Sequence, residues 1–546
     1  MNKGESMSSS NFLRGTLLLT GASFLSKFLG MIYTIPFTNM VGETGMALYG
    51  YSYIPYTIML SMSTIGVPLA VSKFVAKYNS FNDYYSSMRM FKVSTVLMLI
   101  TGFIAFIIMY FGAGVFSGWI LSEENKNITL NEVKDVIQMV SFSLIIIPSM
   151  AIMRGFFQGN KSMGPTAVSQ VIEQIFRIAF LLVAVFIVVI VLQGELATAI
   201  GFAAFSAFIG AIASWGVLAF YWKKRKKYLD AAIEGQKKKE KIPVSTLLKE
   251  LSRYAGPFVL IGVAIPLYQL IDLFTFNHAM AEIGKADVAD IAFSVFNVQG
   301  HKLVIIPVTI ATGLSLALIP EITDAYNTKD TLKLKKLINQ ALQIIMFFVL
   351  PAIVGLILLS DSIYGSLFSL DNIDVAGKVF AWYAPVALTF AFFTVTSYIL
   401  QGVERQNFTL ISLSAGILTK ILLNSLFIQV FAEIGAILVT LIATSIAVIL
   451  NVWQIKKAID FQFKNFYKLT LLMLIFTAIM TIAVLIVKGI LGVFLEVDKN
   501  RFDAIIMMVA GVGVGGFIYL YLGYASTLFE RITGRRIAVI DKLLRR

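Results

Sequence analysis

The chain has no cysteine, only two histidines in 546 residues and few charged side chains for its length. Without cysteine it can form no disulfide, no thiolate metal site and no cysteine nucleophile. The histidines, His278 and His301, are not accompanied by paired carboxylates in a large loop. An integral-membrane glycosyltransferase or acyltransferase would need such acids and bases at the lipid interface, so the sequence predicts a protein that is not an enzyme.

Most of the chain is apolar. Hydrophobic residues make up 58% and charged residues 14%, with a mean hydropathy of +0.82, whereas the apolar share of a soluble protein is about 45–50%. Apolar runs of about 20 residues predict about fourteen transmembrane helices. The first is at 12–38, the seventh at 252–278, the eighth at 291–323 and the last at 503–527. The fold class is therefore an all-α polytopic membrane protein. Two overlong spans are expected either to extend beyond the bilayer or to bend at Pro68 or Pro307.

Lysine and arginine concentrate in alternate loops, while the other loops are acidic or mixed. The positive-inside rule then places both termini in the cytoplasm. The longest polar interruption, 223–250, opens with the five consecutive cations Lys223 to Lys227. It predicts a cytoplasmic linker on anionic headgroups rather than a nucleic-acid-binding segment or a soluble domain.

The sequence contains a repeat. The stretch 157–178 aligns with 400–421 at a constant offset (401 − 158 = 243 and 420 − 177 = 243). A second match pairs Tyr78 with Tyr326 at offset 248. Six spans on each side of the linker indicate two pseudo-symmetric six-helix lobes related by an axis along the membrane normal. The predicted organisation is an N-lobe at 1–222, the linker at 223–250, a C-lobe at 251–459, two additional helices at 460–528 and a basic cytoplasmic tail at 529–546.

Charged residues lie inside several spans, where an isolated charge is costly and indicates a polar interior. They are Lys27, Glu173, Arg177, Asp272 and Lys420. The repeat aligns Arg177 with Lys420, and within each lobe a pair is expected: Lys27 with Glu173, and Asp272 with Lys420. Two interpretations stay open, namely static pairs that fix helix register and cavity groups that change partner between states.

A further basic pair, His301 and Lys302, lies in the eighth span five residues before Pro307. Proline lacks the N–H that would close a helical hydrogen bond, which loosens the helix there. Lys302 either snorkels to the interface or provides a cavity cation for an anionic substrate.

These residues resemble a known family. Ser26-Lys27 with Gly30, the Gly42-Glu43-Thr44-Gly45 loop and the stretch from Gln158 to Gln170, in a chain of fourteen spans, are similar to the multidrug/oligosaccharidyl-lipid/polysaccharide (MOP) exporter superfamily. Within it the chain is most similar to the Gram-positive lipid II flippase branch, near the stage V sporulation proteins. The resemblance implies a V-shaped, alternating-access carrier in the bacterial plasma membrane, with helices thirteen and fourteen forming a groove for the lipid tail.

The resemblance also implies the substrate and, within its site, the basic positions Lys27 in helix one and Lys302 in helix eight. The substrate would be a lipid-linked oligosaccharide, undecaprenyl-pyrophosphate-linked disaccharide pentapeptide, moved from the inner to the outer leaflet. The predicted substrate-binding residues are Lys27, Tyr33, His301, Lys302, Glu173 and Arg177; those assigned to coupling or gating are Asp272, Lys420 and Glu43. Tyr33 stands where better-known members have arginine. Alternatives are a flippase for another undecaprenyl-linked polysaccharide or teichoic acid unit and a drug/cation antiporter, which would want more acidic cavity residues.

The energy source is left open by the sequence. No phosphate-binding loop occurs, since the nearest candidate, Gly284-Lys285, is followed by Ala286-Asp287. No cofactor is expected, and the drive would be the membrane potential or an ion gradient of sodium or protons. Some relatives bind sodium in the second lobe, which makes Asp272 a candidate sodium ligand, with Lys420 competing for it. The expected partners are membrane lipids and cell-wall synthesis machinery but no nucleic acid, and the chain is expected to be a monomer.

Overall fold

The computed structural model describes residues 18–533 apart from 20, 65, 123, 237–241 and 317. Most of the predicted tail at 529–546 and part of the linker therefore lie outside the described residues. Every regular element that is described is a helix. In chain order these are α1 (residues 21–32), α2 (Thr34–Thr64), α3 (Gly66–Ser80), α4 (Tyr84–Ile120), α5 (Leu130–Ser141), α6 (Ser143–Gly159), α7 (Gly164–Phe186), α8 (Leu196–Glu234), α9 (Val244–Glu282), α10 (Ala286–Ser294), α11 (Gly300–Leu316), α12 (Ile319–Asn327), α13 (Thr331–Leu358), α14 (Ser360–Leu367), α15 (Ile373–Tyr383), α16 (Val386–Gly402), α17 (Gln406–Phe431), α18 (Gly435–Ile459), α19 (Lys464–Leu491), α20 (Arg501–Ala525) and α21 (Leu528–Thr533).

Eleven helical stretches in the described part of the chain are long and apolar enough to cross a membrane. Gln406–Ile459 contains two of the predicted spans, and Gly21–Ser80 contains the second predicted span and residues 21–38 of the first. Gly42 interrupts the stretch Gly21–Ser80 with φ 67° and ψ −173°, a conformation essentially reserved for glycine. A 3-10 turn at Ala432–Ile434 interrupts the stretch Gln406–Ile459, and α9 covers the predicted seventh span. The chain is an all-α, multi-pass membrane protein.

The two prolines expected to bend their spans both lie within helices. Pro68 lies in α3, three residues after residue 65, which is outside the described residues, so a bend there stays a prediction. Pro307 lies inside α11, and the irregular turn in this span is a π-helical segment at Val295–Gln299, just before His301. Such π-helical turns are often found at functional sites.

The structure confirms the offset of 243 between the halves. α6 and α16 are both 17 residues long and end at Gly159 and Gly402. The turns that follow each place one residue in the left-handed conformation, Lys161 with φ 56° and Glu404 with φ 58° (404 − 161 = 243). Both turns close with the same pair of backbone hydrogen bonds, so the repeat extends to backbone detail.

The second match needs a correction of one residue. Asn82 (φ 56°) and Lys329 (φ 59°) are the left-handed residues of equivalent turns, and 329 − 82 = 247. The next residues, Asp83 and Asp330, each accept a hydrogen bond from the first turn of the following helix, α4 and α13. The tyrosines paired at offset 248 are therefore one residue out of structural register.

The chain divides into two compact units, residues 1–281 and 282–546. Nearly all of α9, which the repeat assigns to the second half, groups with the first unit. The basic run Lys223 to Lys227 lies on α8, because this helix continues past its predicted span as far as Glu234. Gln236 then fastens the end of α8 to the turn before α4, with its side chain 2.9 Å from the Asp83 carboxylate and 3.0 Å from the Tyr85 amide.

Candidate functional site

The first unit contains a polar cavity of about 330 Å³ within its membrane-spanning helices. Its walls come from α2, α3, α6, α7 and α8. Apolar side chains form most of the lining, and the polar groups converge from α6 and α7. These polar lining residues are Arg154, Gln158, Thr166, Gln170, Glu173 and Arg177.

Glu173 is paired with Arg154, a residue that the sequence analysis did not select. The Arg154 Nη2 atom lies 2.6 Å from the Glu173 carboxylate and 2.7 Å from the Ser214 hydroxyl, and Nε donates to Ser169 at 2.9 Å. The structure thus replaces the predicted partner Lys27 with Arg154. The guanidinium suits this place because its fixed fork of donors serves three acceptors on two helices at once.

Arg177 is held by tyrosines rather than by a carboxylate. Its Nη2 donates to the hydroxyls of Tyr49 at 3.2 Å and Tyr53 at 2.7 Å, and the guanidinium stacks over the Tyr53 ring at 5.3 Å. Tyr33 lies close to Tyr49 and Tyr53 and belongs to the same cluster. Because Arg154 already neutralises Glu173, the positive charge of Arg177 is balanced only by dipoles and rings among these contacts. Two predicted residues, Tyr33 and Arg177, therefore belong to one cluster.

Lys27 lies on the side of α1 that packs against α7. Ser23 donates to Gln170 at 3.0 Å, and a Cβ placed on Gly30 would come 3.2 Å from the Gln174 amide. Residues four and three apart share a helix face, so Lys27, which is exposed, is on the same side as both contacts. Its role in binding remains a prediction.

The two acidic gating candidates of the first unit are buried. Glu43 is 8% exposed beside the break at Gly42, and Asp272 is 3% exposed on α9. No group of three or more histidine, aspartate or glutamate side chains suited to a metal ion occurs among the described residues. Asp272 belongs to the first unit and Lys420 to the second, and their predicted pairing stays a prediction, as does a sodium ion at Asp272.

In the second unit, His301 and Lys302 open α11 directly after the π-helical segment. The His301 ring nitrogen Nδ1 is 2.7 Å from the Tyr383 hydroxyl. In the same segment the buried Gln299 accepts from the Tyr364 hydroxyl at 2.8 Å. Both side chains of the predicted pair are half-buried, so His301 is anchored while Lys302 is partly accessible.

Lys420 is completely buried in α17. Its ammonium donates to the Ala436 carbonyl at 3.0 Å and to the Thr440 hydroxyl, both on α18. A carbonyl and a hydroxyl are oxygen ligands that also suit alkali cations. Within this unit the lysine amine therefore occupies oxygen atoms of the kind that a bound cation would use.

The second unit also contains an apolar cavity of about 360 Å³, lined by α11, α13, α14, α19 and α20. Glycines on α20 make room for it: a Cβ at Gly515 would meet Val484 at 2.8 Å, whereas one at Gly516 would meet nothing within 4 Å. The lining is almost entirely aliphatic and aromatic. It includes both helices of the predicted segment 460–528.

Sequence reasoning missed three residues of the polar cluster: Arg154, Tyr49 and Tyr53. Arg154 is a charge within the predicted fourth span, so the criterion applied to the other spans would have selected it. Tyr49 and Tyr53 are four residues apart and share one helix face. Their spacing is equally typical of core packing, so only the arginine carried a distinctive signal.

Two family descriptions match the chain: polysaccharide biosynthesis protein over residues 12–326, more than half of the chain, and MatE over residues 257–426. The chain is 42% identical over 532 residues to the lipid II flippase MurJ of Bacillus subtilis (strain 168), covering 97% of this chain and 98% of that protein. The chain belongs to the MurJ family. MurJ and the MATE transporters are MOP superfamily proteins, which are transporters rather than enzymes.

Solved structures agree on the fold. A lipid II flippase MurJ in an inward closed conformation matches with a TM-score of 0.64 at 18% identity, covering 95% of this chain and all of that one. An inward-facing multidrug resistance MATE transporter of the MOP superfamily matches with a TM-score of 0.61 at 15% identity, covering 78% of this chain and 95% of that one. At these identities the likeness concerns the fold alone.

Proposed function

We propose that this MurJ-family protein is a lipid II flippase, which moves undecaprenyl-pyrophosphate-linked disaccharide pentapeptide from the inner to the outer leaflet by alternating access. The observation that carries the proposal is the 42% identity to a lipid II flippase along nearly the whole of both chains. The substrate is then a lipid-linked oligosaccharide, and the surrounding membrane lipids are the other partners.

The polar cavity supports this substrate class. A pyrophosphate that leaves water loses its hydration and needs fixed positive charges in return. Arg177 supplies one that is already oriented by Tyr49 and Tyr53. Lys27 is not part of this lining, but it lies on the side of α1 that packs against α7, from which it can supply a second positive charge. A sugar would find hydrogen-bonding partners in Gln158 and Gln170 of the lining.

The apolar cavity supports the lipid part of the same substrate. Its aliphatic walls on α19 and α20 provide no hydrogen bonds, and a polyprenyl tail requires none. This agrees with the assignment of residues 460–528 to the lipid tail.

We propose that the membrane potential drives the cycle, with both termini in the cytoplasm and the chain acting as a monomer. A cationic cavity responds to the potential, which contributes about 2.3 kcal/mol per charge per 100 mV. The buried ammonium of Lys420 takes oxygen atoms of a kind that sodium would use. The Lys420 ammonium thus takes the place of a bound sodium ion. Replacing sodium by potassium in the buffer should therefore change the flipping rate by less than about twofold.

A drug/cation antiporter of the same fold is a weaker candidate. Its substrates are cationic and require exposed acidic groups. The carboxylate in the cavity lining, Glu173, is already paired with Arg154 at 2.6 Å.

The test is depletion of the protein in a Gram-positive host that lacks its other flippases, followed by an assay of which leaflet holds the lipid-linked precursor. Wild type should restore the precursor to the outer leaflet. Lys27→Ala and Lys302→Ala should fail at equal expression, whereas Lys336→Ala, which removes an exposed lysine of α13, should succeed. Normal outer-leaflet precursor during depletion would disprove lipid II flipping and favour another undecaprenyl-linked polymer.

A further inference from the structure

A second cavity of the first unit lies outside the polar site, where the end of α6 meets the continuation of α8. Its volume is about 450 Å³. Its lining combines aromatic rings with two cations and, among the described residues, contains no carboxylate. The lining residues are Phe156, Phe157, Asn160, Tyr221, Lys224, Arg225, Tyr228 and Leu229.

Arg225 is fixed in this cavity rather than extended into water. Its Nη1 donates to the Ser162 hydroxyl in the turn after α6. The guanidinium lies 5.5 Å from the centre of the Phe157 ring and 5.9 Å from that of Tyr221. A guanidinium has five N–H donors in a rigid fork, so one bond to a hydroxyl leaves most of the fork able to meet an anion.

The neighbouring cations of the basic run behave differently. Lys226 and Lys227 are exposed and do not line the cavity. They form the solvated face that such a run normally has. Lys224 is exposed as well, but it lines the cavity together with Arg225, which gives two positive charges for a single anionic group.

The location indicates which anion. The predicted span of α8 ends at residue 222, so the basic run begins where lipid phosphates lie. Tyrosine rings such as Tyr221 and Tyr228 are typical of that interface. A soluble phosphate needs a cage of polar donors, whereas this cavity has mainly aromatic and aliphatic walls that suit the glycerol and the first carbons of an acyl chain.

We propose that this cavity binds the phosphate headgroup of an anionic membrane lipid, with Arg225 and Lys224 as its ligands. The site is separate from the transport cavity and does not depend on which substrate is flipped.

The test is native mass spectrometry of the full-length, delipidated protein in neutral detergent, titrated with dioleoylphosphatidylglycerol, dioleoylphosphatidylcholine or inorganic phosphate. Phosphatidylglycerol should bind in preference to phosphatidylcholine and should not be displaced by inorganic phosphate. Arg225→Ala should weaken the first binding event by about tenfold, since it removes charge-assisted hydrogen bonds. The matched control Lys226→Ala removes the same charge from the same helix and should weaken it by less than about twofold at 0.15 M salt.

Equal losses in the two variants would overturn the proposal in favour of general electrostatic attraction, and displacement by inorganic phosphate would overturn it in favour of a free-anion site. If Arg225→Ala alters the thermal unfolding of the protein, Ser162→Ala serves instead. It leaves the charge in place and removes only the hydroxyl that positions Arg225, so it should still weaken binding by about threefold. No effect of that variant would also count against the site. None of these readouts involves flipping, so they are independent of the proposed function.

Discussion

The two halves of the repeat share a backbone but differ in how they fill the equivalent interior. Ser169 and Ser412 are repeat partners (412 − 169 = 243), and each hydroxyl donates back to a threonine carbonyl in its own helix. In the first half Ser169 accepts from the charged Arg154. In the second half the single O–H proton of Ser412 is shared between the Thr409 carbonyl and the amide oxygen of Asn451, which lies 2.6 Å away.

Charged residues of the first half are replaced by neutral residues at their repeat partners in the second half. The partner of Arg154 is Ser397 (397 − 154 = 243), and that of Glu173 is Gly416 (416 − 173 = 243). The ion pair of the first half thus has no counterpart at these positions, where Asn451 binds Ser397 at 3.2 Å. The charged set lines an open cavity and the neutral set is fully buried. The same backbone therefore carries a partly exposed charged wall in one half and a fully buried neutral core in the other.

The largest expected effect on the difference between the charged and the neutral interior is the loss of stability on removing Arg154. Arg154→Ala leaves Glu173 without its partner, and losing one member of a buried pair typically costs about 3–5 kcal/mol. The side chains are 14% and 22% exposed, so water reaches them and the lower end, about 3 kcal/mol, is expected. The thermal unfolding temperature of the purified protein measures the loss.

The control for this variant is an exposed ion pair of the same unit. Lys77 and Glu250 are 3.7 Å apart with side chains 47% and 32% exposed, so Lys77→Ala should cost less than about 1 kcal/mol. The double variant Arg154→Ala with Glu173→Ala should be more stable than Arg154→Ala alone. A double variant that is no better would mean that the arginine acts by packing and not by charge.

A second way to sharpen the contrast uses the aligned cations Arg177 and Lys420. Arg177→Ala removes the cation that Tyr49 and Tyr53 orient. Because it removes charge-assisted hydrogen bonds to the substrate phosphate, the flipping rate should fall by about 100-fold. Arg177→Lys keeps the charge but loses the planar fork, so about a tenfold loss is expected. Flipping by reconstituted vesicles measures both variants at equal protein content. Full activity of the lysine variant would show that charge alone suffices at this position, which the repeat fills with Lys420 in the second half.

The third test asks whether the apolar cavity of the second unit holds the lipid tail, in contrast to the polar cavity proposed for the pyrophosphate. Gly516→Leu places a side chain in open space on the cavity wall, and Gly513→Leu does the same on α20 outside the lining. Displacing about two methylene groups of a lipid tail costs about 1.6 kcal/mol, so Gly516→Leu should slow flipping by about tenfold. Gly513→Leu should change it by less than about twofold. If the two variants are equally slow, the cavity does not hold the tail.

Much of this architecture is readable in the sequence because it depends on local pattern. The apolar runs predict the spans, and the offset of 243 relates the turn at Lys161 to the turn at Glu404. Spans and turns are predictable because each depends on residues that are close in the sequence. The pairing of charges was wrong for Lys27 and Glu173 because it depends on which helices meet. Arg154 lies within its predicted span, so its charge is visible in the sequence, but its pairing with Glu173 is not. Tyr49 and Tyr53 accept hydrogen bonds from Arg177 only because α2 and α7 pack against each other, which the local sequence does not reveal.

The smallest expected effect belongs to the neutral network. Asn451→Ala removes the bonds to Ser397, Ser412 and Thr396. Two of these hydroxyls also donate to carbonyls of their own helices, Ser412 to Thr409 at 3.0 Å and Thr396 to Phe392 at 2.6 Å. They are therefore not left without hydrogen bonds, and the loss should be about 1 kcal/mol, near the low end for a buried polar contact. The unfolding temperature should fall by about a third as much as in Arg154→Ala. A fall as large as that of the arginine variant would mean that the position, and not the charge, distinguishes the two interiors.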